Sequence, residues 1–314
     1  MQRSMHITKP FLTSAGIAML LAACSSDPGS TATKPPAKAV AQAPQAYTRI
    51  IEGSWTLAPG EEKSNVCFKK PITEDTYISA IRPVHPPGSH HTLLTIGDET
   101  DDCRSSVPTG FIYAAGVGSQ GLTLPKGVAL KLPAGKVLDI SLHIYNTGTT
   151  ELSGTSGMDV VTMDAKDVVY ESDSILAGPL SFTLPAHQIT TLSNDCQVTA
   201  DQSAFALFPH MHQLGTHFKT TVTAGGVPNV LHDADYTFNE QLQLPLDPLL
   251  QLHMGDTITT ECTYENTTDK DVTFGESSDT EMCFSVLFRY PKIEGGSGVC
   301  GGAANPFAGG PATN

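Results

Sequence analysis

Leu138-Asp139-Ile140-Ser141-Leu142-His143-Ile144-Tyr145 alternates apolar and polar side chains residue by residue. A period of two belongs to an extended strand that buries one face and turns the other outward. Stretches with the same β-branched, alternating character recur at Tyr77–Arg82, Thr92–Ile96, Met158–Met163, Phe218–Thr223, Asp256–Cys262 and Phe284–Tyr290. Turn formers separate them, among them Pro86-Pro87-Gly88, Asn146-Thr147-Gly148, Ala224-Gly225-Gly226 and Ser277-Ser278-Asp279. Beyond the N-terminal apolar stretch, no long segment places apolar residues at helical spacing. The chain is expected to be all-β, and exported β domains of this size are usually sandwiches.

The first residues, MQRSMHITKPFLTSAGIAMLLAAC, join Arg3 and Lys9 to an apolar run that ends in Leu21-Ala22-Ala23-Cys24. This is the pattern of a secretory signal over residues 1–23 that is cut before a lipid-bearing cysteine, and the run is short for a spanning helix. Acylation of Cys24 would tie the protein to a membrane, as a lipid-anchored protein of the bacterial cell envelope. Ser25-Ser26 after Cys24 leans toward the outer membrane, by resemblance to other lipoproteins. Residues 24–46 are rich in Pro, Ala, Ser and Thr, cannot bury a core and read as a disordered tether, and residues 301–314 read as a flexible tail. What lies between is expected to divide into two domains, 47–180 and 181–300, because Gly and Pro interrupt the pattern through Leu176–Gln188.

The formal charge is −14; without the signal, 16 basic residues face 32 acidic ones. Such a surface repels phosphate backbones and argues against nucleic acid as a partner. Setting Cys24 aside leaves Cys67, Cys103, Cys196, Cys262, Cys283 and Cys300, an even number that suggests three disulfides in an exported chain but does not choose among fifteen connectivities. None of them forms a C-x-x-C pair, which argues against a thiolate zinc site or a redox dithiol.

His210-Met211-His212 carries the strongest chemical signal. Residues two apart in a strand share a face, so both imidazoles can grip one ion without distorting the backbone. Met282 adds a soft thioether, which favours Cu(I) over hard cations. Upstream, His90 and His91 are adjacent and would share a metal only where the backbone twists or bulges, for which Pro86-Pro87-Gly88 provides an opening. His143 follows inside the strand Leu138–Tyr145. Taken singly, each has an ordinary alternative: a hydrogen-bonded strand histidine, or a methionine used as packing. The other histidines, His85 and His217 among them, read as surface or structural residues.

In order and context these residues resemble the copper type II, ascorbate-dependent monooxygenases: Gly88-Ser89-His90-His91 before a strand, His143 within one, His210-x-His212, then Asp279-Thr280-Glu281-Met282-Cys283 and a closing apolar strand. The resemblance spans roughly Gly53 to Cys300, fills six of six expected ligand positions, and is most specific at Glu-Met-Cys. It implies two antiparallel jelly-roll sandwiches facing each other across a solvent-filled cleft. It also implies two copper ions per chain: an electron-donating one on His90, His91 and His143, and a reaction centre on His210, His212 and Met282. The implied disulfides are Cys262 with Cys283, Cys196 with Cys300 and Cys67 with Cys103; the implied co-reactants are O2, a small organic substrate, and ascorbate or another one-electron donor.

The chain departs from the peptide-hydroxylating branch of that family at the position two before the first histidine of H-x-H, where Phe208 replaces an arginine. Phe284 and Val286 stand approximately where that branch has an Asn and a Tyr, and neither can anchor a carboxylate. A glycine-extended peptide is therefore a poor substrate, and a more apolar pocket is expected. Two other readings compete: a non-enzymatic copper-binding envelope lipoprotein on the same scaffold, and a β-sandwich adhesion or carbohydrate-binding module with incidental histidines.

Overall fold

The alternating stretches form strands in the computed structural model, which describes residues 46–101, 110–275, 277, 279–293 and 298–299. The expected signal, the tether, the tail, and Cys24, Cys103 and Cys300 lie outside the described residues. The chain is all-β, its one helical piece among the described residues being a short 3-10 turn at Ala165–Asp167. No helix among them is long and apolar enough to cross a membrane.

Residues up to Glu171 build two sheets. The first orders Thr48–Leu57, Leu152–Thr162, Thr76–Val84, Val128–Leu132 and Tyr170–Glu171, with Leu122–Thr123 paired at its side. The second orders Glu62–Pro71, Val137–Tyr145, Ser89–Gly97 and Phe111–Gly116. Their inner faces meet where Thr48–Leu57 crosses Glu62–Pro71 and Val137–Tyr145. The alternation read from the sequence supplies that face: Leu138, Ile140, Leu142 and Ile144 are buried in the common core with Ile51, Trp55 and Leu57.

From Asp173 onward come two four-stranded sheets and a small two-stranded one, in which Thr183–Leu184 pairs with Val272–Thr273. One four-stranded sheet orders Asp173–Ala177, Cys283–Tyr290, Gln202–Met211 and Leu244–Leu252; the other orders Gln188–Gln197, Thr257–Asn266, Gly215–Ala224 and Val227–Asp235. The strand Asp173–Ala177 precedes residue 180, yet pairs antiparallel with Cys283–Tyr290. Arg289, 2 % exposed, donates from Nε to Asp173 at 2.9 Å and fastens this edge from inside.

The core does not stop between the two halves. Phe111 and Tyr113, on the outer strand of the second sheet, each lie 6.3 Å ring to ring from Phe288, on the closing strand of the chain. Phe205 lies 6.2 Å from the same ring. One continuous apolar cluster therefore runs from Trp55 to Phe288. Where the resemblance implies a solvent-filled cleft, aromatic packing joins the halves at this level, because Phe205, Phe288, Phe111 and Tyr113 all need burial.

Candidate metal centre

Ser89–Gly97 pairs with Val137–Tyr145, and the register slips by one between Ser89 and His91. Ser89 lies opposite Ile144 and His91 opposite His143, which leaves His90 as the extra residue of a bulge. The bulge turns adjacent imidazoles toward one point, as the sequence required. Gly88 makes the approach possible, with φ of +92° and space so tight that a Cβ would fall 2.9 Å from the Trp55 ring.

His90, His91 and His143 each offer a ring nitrogen, and these atoms all lie within 4.8 Å of one another. The Nδ1 atoms of all three are buried without a hydrogen-bond partner. Buried polar atoms are rarely left orphaned, and three such orphans on imidazoles that cluster this closely suit a metal ion of imidazole preference. The other nitrogen of His143 is engaged: Nε2 donates to the Glu62 carboxylate, the arrangement in which an outer carboxylate fixes a ligand's tautomer and raises its basicity. His85, read from sequence as merely structural, stands just behind, its Nε2 2.7 Å from Thr92 Oγ1.

The second set forms at the end of Gln202–Met211. His210 and His212 lie 5.2 Å apart, ring to ring, with Met211 between them buried on the opposite side among Phe218, Cys262 and Cys283. His210 Nδ1 donates to Gln241 Oε1 at 3.0 Å, and His212 Nδ1 donates to the Thr280 carbonyl at 2.9 Å. Both tautomers are thereby set with the lone pair on Nε2. Register places Cys283 opposite Met211, so Met282 arrives at the strand end beside His212, and Met282 lines the same cavity as both imidazoles. Two imidazoles and a thioether are a donor set suited to copper.

Glu281 holds this corner together and was legible only as part of the Glu-Met-Cys element. It is fully buried, and its two oxygens accept the backbone N–H groups of His212 at 2.8 Å and Leu214 at 2.7 Å. Burial pushes its carboxyl up to about 7. Tyr264 donates its hydroxyl to the Met282 carbonyl at 2.6 Å, and Cys262–Cys283 is a disulfide directly beside Met282. Cys67 and Cys196 are also disulfide-bonded; the partners expected for them, Cys103 and Cys300, lie outside the described residues.

The two sets are close. The His91 and His212 rings are nearly parallel, at 11°, with centroids 6.5 Å apart. Phe238 covers both, 4.2 Å from the His90 ring and 6.0 Å from that of His212. Burial, the largest cause in each case, depresses His85, His90 and His210 to about 4 and His212 to about 3, and holds His91 well below its ordinary value. Neutral imidazoles are the form that binds metal.

Two openings reach these groups. A cavity of about 90 Å³ is bounded by His91, His210, His212 and Met282, by Thr92, Ser141 and Gln241, and otherwise by apolar side chains, including Phe208, Phe284 and Val286. A separate, polar recess is lined by Glu62, His90, His143, Tyr145, Gln213 and Asn239. Glu62, Gln241 and Phe238 carried no signal in the sequence; none belongs to a motif, and each meets its histidine only through tertiary packing.

Comparison with known proteins finds similar sequences in one family. Residues 176–306 match the family described as copper type II ascorbate-dependent monooxygenase, C-terminal domain. DBH-like monooxygenase protein 1 from Mus musculus is 30% identical over 74% of this chain and 43% of its own length. The protein of the same name from Homo sapiens is 26% identical over 75% of this chain and 46% of its own. Tyramine beta-hydroxylase from Caenorhabditis briggsae is 33% identical over 49% of this chain and 24% of its own. The chain spans less than half the length of these curated relatives.

Proposed function

Since the chain belongs to the copper type II, ascorbate-dependent monooxygenase family, we propose that it hydroxylates a C–H bond of a small organic substrate with O2 and electrons from ascorbate or another one-electron donor. One oxygen atom would enter the C–H bond and the other would leave as water, with two electrons and two protons consumed. The observation that carries this reading is the convergence of two unlike donor sets, one of three imidazoles and one of two imidazoles and a thioether, beside one apolar cavity. A buffering protein would need no second set of different chemistry.

We assign one copper ion to His90, His91 and His143 through their Nδ1 atoms, and a second to His210, His212 and Met282. Copper held there would supply one-electron redox chemistry and a site for O2; a thioether favours the reduced ion. Around it, Glu62 orients His143, while Gln241 and the Thr280 carbonyl orient His210 and His212. The apolar walls exclude water from the reacting carbon. The separation of the openings suits a division of labour, with substrate entering beside Met282 and the electron donor approaching His90 and His143 from the polar recess.

The sheet pairs support a reading as two jelly-roll sandwich domains that meet near Ser172. Disulfides Cys67–Cys103 and Cys196–Cys300, and an acylated Cys24 anchoring the chain to the outer membrane of a bacterial envelope, complete the proposal on sequence grounds. The deciding experiment is metal analysis after copper loading, followed by ascorbate-driven oxygen uptake with a panel of small substrates. Two ions per chain with substrate-dependent uptake is the expected result. Two ions without turnover would leave a copper-binding protein, and none would leave an adhesion module.

A further inference from the structure

We propose that the substrate is an uncharged, apolar molecule whose reacting part is a short alkyl segment slimmer than an aromatic ring; this rests on the monooxygenase reading above. No Asp, Glu, Lys or Arg stands among the described residues that line the cavity beside Met282. Its walls come from Phe111, Leu176, Phe208, Phe274, Phe284 and Val286. Besides the three imidazoles, its polar side chains are Thr92, Ser141 and Gln241, all uncharged; Thr92 meets His85 Nε2, and Gln241 accepts from His210 and donates to the Phe238 carbonyl. An ammonium or carboxylate entering here would lose its hydration and find no opposite charge among these side chains, a costly form of burial.

Size sets the second limit. The cavity, at about 90 Å³, is smaller than the roughly 150 Å³ apolar cavity that takes up benzene. The part of the substrate that reaches the metal-binding side chains must be slim, with any remainder toward the opening. An apolar guest needs no anchor, because water released from such walls supplies the driving force.

Ethylbenzene, benzylamine and phenylacetate share a skeleton and differ in end group: methyl, ammonium or carboxylate. Their binding is measured by calorimetry on metal-free and on copper-loaded protein, so that the outcome does not depend on turnover. Ethylbenzene is expected to bind both forms, and each charged analogue at least about 100-fold more weakly, given the penalty for an unpaired buried charge. Val286→Phe and Leu180→Phe, which fill the cavity, should abolish ethylbenzene binding while copper content and thermal midpoint stay near those of the parent. Tighter binding of either charged analogue, no binding of ethylbenzene, or binding that survives both fillings would overturn the proposal. Copper content, read separately, tests the monooxygenase assignment: a protein that takes up ethylbenzene but no copper would refute that reading and leave the cavity's preference standing.

Discussion

His91 and His212 belong to opposite halves of the chain, yet their rings stack at 11° with 6.5 Å between centroids. The two donor sets are neighbours rather than stations across a gap. Loading both with Cu(II) should produce strong dipolar broadening in the electron paramagnetic resonance spectrum. His91→Ala should remove one copper and restore the sharp spectrum of an isolated ion. Two sharp, non-interacting signals in the parent would contradict this proximity.

Met282→Ile keeps the volume of the side chain and removes its sulfur. Copper should remain on His90, His91 and His143, while ascorbate-driven turnover falls by more than the roughly 100-fold that loss of an outer partner can cause. Full activity in this variant would reject Met282 as a ligand.

Gln241 reaches His210 from a turn that the other half holds in place. Ser119 Oγ donates to the Gln241 carbonyl at 2.7 Å, and a Cβ on Gly116 would lie 2.5 Å from Gln241 Cβ. Gly116→Ala should therefore displace Gln241 and loosen His210, as Gln241→Leu does directly. Each is expected to weaken copper at the His210/His212 set by about 10- to 100-fold, with copper at the other set less affected. Competitive chelator titration separates the two.

Phe288 packs against Phe111, Tyr113 and Phe205 at the junction of the halves. Phe288→Ala should cost about 3–5 kcal/mol. In the parent, urea unfolding should follow one transition; two well-separated transitions would mean that the halves are energetically independent.

Acid should destabilise the metal-free protein. His85, His90, His91, His210 and His212 are held neutral when folded, His85, His90 and His210 at about 4, His212 at about 3 and His91 well below its ordinary value, whereas in the unfolded chain they titrate near 6.5. The unfolded state binds more protons throughout that window, so stability falls as pH drops from about 6.5 toward about 4. His85→Gln, which removes one such group, should flatten the slope by up to one proton's worth, about 1.4 kcal/mol per pH unit. Thermal midpoints that stay level between these limits would show that the imidazoles are not buried neutral.

Sequence periodicity determined the strands, because a strand with one face in an apolar core writes that face into alternate residues, as Leu138–Tyr145 does, although Asp139 and His143 on its other face are buried too. Local spacing likewise placed His210 and His212 on one face and marked His90-His91 as a pair in need of a bulge. Resemblance, rather than spacing, joined Met282 to the histidines.

Tertiary structure alone decided the rest. Glu62 lies 81 residues from His143 and Gln241 lies 31 from His210, so neither contact leaves a trace in any local window. The nearness of His91 to His212 depends on how two sheet pairs bury a shared aromatic junction. Strand formation is a property of neighbouring residues, whereas the distance between donor sets is fixed by the burial of apolar side chains scattered along the whole chain.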